Sequence, residues 1–221
     1  MRIMPAVIDR AEEKQVFNVP EDEFRLEFPE PFFFIVKTPG RKFTDQELYA
    51  IDAANEDLRI ETNADGDFEI MPPPFPATSR KNMAIYAQLW VWAKKDKTGV
   101  CFESSAKFTL PNGSKRMPDA AWILKERYFV LPENERAERF TQIAPDFVIE
   151  LHSTSDRLPI LQKKMKEYAQ NGVRLGWLID PLKKRVHIYR AGGSIEILEN
   201  AVKVSGEDIL KGFELDLAEV F

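Results

Sequence analysis

The chain has one cysteine and two histidines in 221 residues. Cys101 alone cannot close an internal disulfide, and with only His152 and His187 as imidazoles a structural zinc site is not expected. Any metal would be held by oxygens. Long apolar runs are also missing: the N-terminus, M-R-I-M-P-A-V-I-D-R, is broken by Pro5 and Asp9 before a signal-peptide core of ~7–15 residues could form. The expectation is a cytoplasmic protein without a membrane segment. Basic residues are not in excess either, with 31 Lys and Arg against 36 Asp and Glu and a formal charge of −5. That balance argues against a strong non-specific grip on nucleic acid, so a nucleic-acid enzyme would need its basic residues concentrated locally.

What is present is material for a core. Hydrophobic residues make up 44% of the chain and aromatics 11%, enough for one domain over residues 1–221. Residues 1–36 read as an irregular extension, punctuated by Pro5, Pro20, Pro29 and Pro31, with only F-F-F-I-V at 32–36 resembling a strand. From residue 37 the core begins. Thr44 and Glu47 have capping-box spacing, which predicts a helix from Asp45 to Asn55. L-R-I-E-T and D-F-E-I-M flank a turn at 63–66, a hairpin pattern with Glu61 and Glu69 on its arms. Met83, Tyr86, Ala87, Trp90 and Ala93 recur at helical spacing between Ser79 and Lys95, predicting a mostly buried helix. Strands are expected over 99–110, 117–124 and 146–152, with a charged excursion at 125–141. A helix from Leu158 to Asn171 presents Leu161, Met165 and Tyr168 on one face and stops at Gly172. L-G-W-L-I-D and R-V-H-I-Y-R form a further hairpin.

Two apolar strands carry acids behind a proline: M-P-D-A-A-W-I, with Asp119, and P-D-F-V-I-E-L-H-S, with Asp146 and Glu150. Alternation sends Asp146, Val148, Glu150 and His152 to one face and Phe147, Ile149 and Leu151 to the other. If the two strands are neighbours, Asp119 approaches Glu150, and paired carboxylates either share a proton or bind a cation. Oxygen ligands suit Mg²⁺ or Mn²⁺, and a cation so held fits phosphodiester hydrolysis. A nearby ammonium could orient the water. On the following helix Lys164 lies about 40° from Tyr168 around the wheel, at the border of the apolar face, whereas Lys163 points outward.

The order R-I-E, D-G-D-F-E-I-M-P-P, a long helix, G-V-C-F-E-S-S-A-K-F-T-L-P-N-G-S-K-R-M-P-D-A-A-W-I, P-D-F-V-I-E-L-H-S-T-S-D-R, L-Q-K-K-M-K-E-Y-A-Q-N-G-V-R-L-G-W-L-I-D-P and G-F-E-L-D-L resembles the Uma2 family, also called DUF820. The resemblance runs from Lys37 to Phe221. It implies an α/β restriction-endonuclease-like fold of the PD-(D/E)XK nuclease superfamily, a central mixed sheet flanked by helices. It implies further a Mg²⁺- or Mn²⁺-dependent endonuclease acting on DNA, often as a homodimer. Asp119 becomes the metal-binding aspartate, Glu150 the acid of the (D/E)XK strand, the Leu151 carbonyl a further ligand, and Glu69 or Glu61 the acid completing the set. The superfamily lysine falls at His152. Either Lys164 supplies that charge from the helix, with His152 as a hydrogen-bond donor or base, or the chain is a catalytically degenerate binding or regulatory module.

Plainer roles are expected elsewhere. Asp146 reads as a turn residue, Ser153, Ser155 and Asp156 as caps of the next helix, the four tryptophans as core and Cys101 as inert. A third possibility uses the strand at Phe32–Val36 to pair with a partner chain.

Overall fold

The computed structural model describes the backbone of residues 3–10 and 13–20, and residues 34–71 and 73–221. The residues group into two compact units. The first holds residues up to Pro73 together with Asn112–Arg116, and the second holds Pro74–Pro111 and Met117–Phe221.

In the first unit, strands β1 (Ile3–Arg10), β2 (Glu13–Pro20), β3 (Phe34–Lys37), β4 (Arg59–Thr62), β5 (Phe68–Met71) and β8 (Lys115–Arg116) lie in the order β2-β1-β3-β5-β4-β8. The N-terminal segment expected to be irregular therefore contains a hairpin. Pro5 had argued against a strand because it lacks a ladder donor. However, β3 pairs only with Val7 and Ile8 of β1, so Pro5 lies outside the stretch with strands on both sides. Strand β3 is bonded to β1 on one side and β5 on the other. On the β1 side the pairing covers only Val36 and Lys37; Phe32 and Phe33, where the partner-pairing strand was expected to begin, lie outside the described residues.

Helix α1 (Asp45–Ala54) starts where its sequence requires. The Thr44 hydroxyl accepts from the Glu47 amide, and the Glu47 carboxylate accepts from the Thr44 amide. The Thr44 amide and hydroxyl, both donating to the Glu47 carboxylate, hold it below its ordinary pKa. In the β4–β5 turn, Asn63 Oδ1 accepts from the amides of Asp65 and Asp67, and Gly66 takes a positive φ of 89°. Burial would raise the pKa of Asp67, yet bonds from Lys37, Thr38 and Asn63 hold it low.

The second unit is built on a mixed sheet in the order β13-β12-β11-β10-β9-β6. Its strands are β6 (Gly99–Glu103), β9 (Ala120–Leu124), β10 (Phe147–Leu151), β11 (Leu175–Asp180), β12 (Arg185–Arg190) and β13 (Ile195–Glu199). A short strand β7 (Phe108–Thr109) follows β6 after a turn, where one continuous strand was expected. Helix α2 (Pro76–Asp96) and the pair β14 (Lys203–Ser205) and β15 (Glu214–Asp216) pack on one face, helix α5 (Leu158–Gln170) on the other. The charged excursion forms two short helices, α3 (Lys125–Tyr128) and α4 (Glu133–Glu138).

Strand alternation sorts the two layers. Phe147, Ile149 and Leu151 join Trp177, Ile179 and Ile188 against Ile85, Leu89 and Ala93 of α2. Val148, Leu178 and Tyr189 face Leu161, Met165 and Tyr168 of α5. Burying each large apolar side chain contributes about 1.5–3 kcal/mol, so α5 is fixed by its expected stripe. The face expected of α2 needs correction: Ile85, Leu89 and Ala93 are buried, whereas Met83 and Trp90 are exposed. Apolar residues surround this helix, so spacing alone supports two stripes. Trp90 instead lies under the Lys94 ammonium.

Gly99 illustrates the packing limit. A Cβ there would sit 2.0 Å from the Trp122 indole, and that ring is itself held against Trp92. Gly99→Ala is expected to cost about 1–3 kcal/mol, the range for forcing atoms into a filled core. Urea unfolding followed by fluorescence tests this, because all four tryptophans lie in the second unit.

Candidate functional site

Antiparallel β9 and β10 pair Trp122 with Phe147, Ala121 with Val148 and Ala120 with Ile149. One step further the same register sets Asp119 opposite Glu150. Asp119 sits at the strand end, where the backbone amide of Leu151 donates to its Oδ2 at 2.8 Å. The amide of Asn82, from α2, donates to Oδ1 at 3.4 Å. A strand-end carboxylate can be reached from both helical layers, and this one is held in place by β10 and α2 together.

Glu150 is 3% exposed. Such a carboxylate requires a partner, and α5 supplies two: the Lys164 ammonium at 2.8 Å and the Tyr168 hydroxyl, donating at 3.0 Å, both to Oε1. Lys164 and Tyr168 are four apart on a helix and so share a face. A lysine thus meets the strand's acid from the helix, at the position the wheel had favoured. Lys164 is itself buried at 7% exposure, which is unusual for an unpaired lysine and ordinary for one meeting a carboxylate.

His152 stands where the strand motif would carry its lysine. Its Nδ1 lies 3.0 Å from Asp180 Oδ1, at the end of β11, and its Nε2 lies 3.4 Å from the Asp156 carbonyl. Asp180 is fully buried, and its Oδ2 has no partner. On β12, His187 is buried with Nε2 likewise unpartnered. Burial pushes the His187 pKa down, opposed by Asp180 and assisted by Arg185 and His152. The folded state therefore resists protonating His187, while the unfolded chain takes a proton near its ordinary value of about 6.5. Stability should be full above that pH and fall as pH drops through the folded value. A His187→Phe variant is expected to lose stability less steeply below pH 6.5 in paired urea titrations; parallel slopes would contradict this.

Other assignments change in part. Asp146 lies in a bend at the entry to β10, as expected, and it is also tied into the core: it is 1% exposed, accepts from the Leu124 amide at 3.0 Å, and pairs with Arg127 at 2.8 Å and Arg174 at 3.7 Å. It joins β9, α3 and the start of β11 at the opposite end of the strand from Glu150. Ser153 and Asp156 bond each other, and α5 has no side-chain cap. Cys101 behaves as expected, its thiol pushed up to about 12 by burial. In the first unit, Glu61 and Glu69 both pair with Arg116, with Glu61 at 3.1 Å. Glu61 is buried and Glu69 part-buried in these pairs.

Sequence reasoning missed Asn82, Tyr168 as a polar group, and Asp180. Tyr168 could have been found by noticing that its hydroxyl shares the helix face of Lys164. Asp180, before Pro181, repeats the acid-at-a-strand-end pattern. Asn82 gives no signal in a single sequence.

As a donor set, Asp119 and Glu150 offer carboxylate oxygens. Among the described residues no three His, Cys, Asp or Glu side chains form a metal cage. Two carboxylates suffice for Mg²⁺, which keeps several waters and completes its shell with substrate phosphate. The residues present therefore fit a hard divalent cation and do not fit zinc. No helix among the described residues is long and apolar enough to cross a membrane.

Comparison with known proteins gives the family and the fold. The Uma2 family model, described as "Putative restriction endonuclease", matches residues 45–218. The fold is similar to the crystal structure of a "putative nuclease belonging to DUF820" from Anabaena variabilis. The match has a TM-score of 0.67 and 21% identity, and covers 81% of this chain and 98% of that one. No curated protein matches the chain.

Proposed function

Because the chain belongs to the Uma2 family of restriction-endonuclease-like proteins, we propose that it hydrolyses phosphodiester bonds in DNA with a divalent cation, Mg²⁺ or Mn²⁺. The observation that carries this reading is the buried contact between Lys164 and Glu150, beside Asp119 on the neighbouring strand. It reunites two acids and a lysine although the strand itself carries His152. Asp119 and Glu150 would hold the cation. When bound, such a cation neutralises charge on the phosphate and lowers the pKa of a coordinated water. Lys164, held against Glu150, can orient the attacking water, and the Tyr168 hydroxyl fixes the Glu150 carboxylate it donates to. His152, held by Asp180, is oriented as a hydrogen-bonding group at the same strand end.

Incubating the purified chain with supercoiled, linear and single-stranded DNA tests the proposal. Nicking or cutting is expected with Mg²⁺ or Mn²⁺ and should stop with chelator. Intact DNA under every condition, together with calorimetry showing no cation binding, would overturn it and leave a nuclease fold used for binding or regulation.

A further inference from the structure

Asn82 carries an atom that the proposed reaction has not used. Its amide nitrogen donates to Asp119, but its amide oxygen is enclosed in protein with no donor against it. Buried polar atoms in native folds are nearly always paired, and an orphan commonly marks an ordered water or ion. The identity of the atom is fixed by its neighbour: turning the amide over would place its oxygen against the Asp119 carboxylate. The vacant partner must therefore be a donor or a cation. An oxygen fixed beside Asp119, whose strand neighbour is Glu150, lies where negative charge favours a cation.

The position also follows from the helix. Asn82, Ile85 and Leu89 fall on one stripe of α2, and the last two anchor that stripe in the core. Asn82 is a part-buried polar residue at the start of that stripe, carried to the strand end by the packing that seats the helix. Neutral amide oxygens are suitable ligands for Mg²⁺ and Mn²⁺ alongside carboxylates.

We propose that the Asn82 side-chain oxygen is a third, neutral ligand of the divalent cation held by Asp119 and Glu150. This rests on the reading of the site as a cation-dependent nuclease. Mn²⁺ is the probe. Binding is measured by calorimetry on the full chain, and bound waters are counted from electron paramagnetic resonance line broadening in ¹⁷O-enriched water. Asn82→Ala is expected to bind Mn²⁺ roughly tenfold more weakly and to show one more water on the ion than the wild type. Thermal melting confirms that the variant is folded. Should alanine prevent folding, Asn82→Asp keeps the shape and is expected to bind at least as tightly as the wild type. Affinity within twofold of wild type for Asn82→Ala, weaker binding with an unchanged water count, or weaker binding by Asn82→Asp would each overturn the assignment. If Asp119→Ala abolishes binding while Asn82→Ala does not change it, only this inference falls. If the wild type binds no Mn²⁺, the nuclease reading falls with it.

Discussion

Asp119→Ala is expected to reduce DNA cleavage about a thousandfold while leaving the fold intact. Removing one preorganised charge-stabilising group from a reacting centre typically costs 10²–10³ in rate, roughly 3–4 kcal/mol of transition-state stabilisation. Asp119 is also a structural acceptor, so its loss is not silent in stability. The Leu151 amide would lose its 2.8 Å partner and Asn82 its 3.4 Å one. Leaving a buried donor unsatisfied costs about 1–3 kcal/mol, less than the total stability of ordinary domains. The two effects separate by measurement: initial cleavage rates under saturating Mg²⁺ against urea midpoints. Asp119→Asn refines the test, because asparagine can still accept from the Leu151 amide but lacks the charge. It should recover most of the stability and little of the rate. Recovery of both would assign Asp119 a purely structural role.

The parts legible in the sequence are those whose cause is local. The Thr44–Glu47 capping box involves three consecutive peptide links, and it fixed the start of α1 to the residue. Alternation along Phe147–Leu151 depends only on the geometry of one strand, and it sorted the two layers correctly. That Lys164 reaches the sheet was legible by angle alone because Leu161, Met165 and Tyr168 define the buried side of α5 without ambiguity. On α2 the same method failed, since Met83, Trp90 and Val91 offer a second apolar surface and only packing decides which one turns inward. Asp146 was legible only in part. A Pro-Asp pair looks like a turn locally, while its three partners, Leu124, Arg127 and Arg174, lie 19 to 28 positions away. Asn82 is the extreme case: its importance lies wholly in what stands across from it.

The Lys164–Glu150 contact predicts a large effect of another kind. Lys164→Met removes the ammonium from a carboxylate that is almost fully enclosed. Breaking a buried pair on one side costs about 3–5 kcal/mol, because the remaining charge has lost both water and partner. Urea unfolding followed by tryptophan fluorescence should show that loss. Glu150→Gln alone should cost less, since the amide oxygen still accepts from the Tyr168 hydroxyl. Combining the two removes both charges and keeps the Tyr168 bond, so the double variant should be more stable than Lys164→Met alone. That rescue distinguishes an electrostatic requirement from lost packing, which a second substitution would not repair. It also bears on why the pair exists. If neutralising both residues leaves the fold sound while cleavage stays abolished, the burial cost of this ion pair is borne for chemistry rather than stability. A Lys164→Met variant within 1 kcal/mol of the wild type would instead mean that Glu150 is already compensated by other groups, and the lysine would lose its claim to the site.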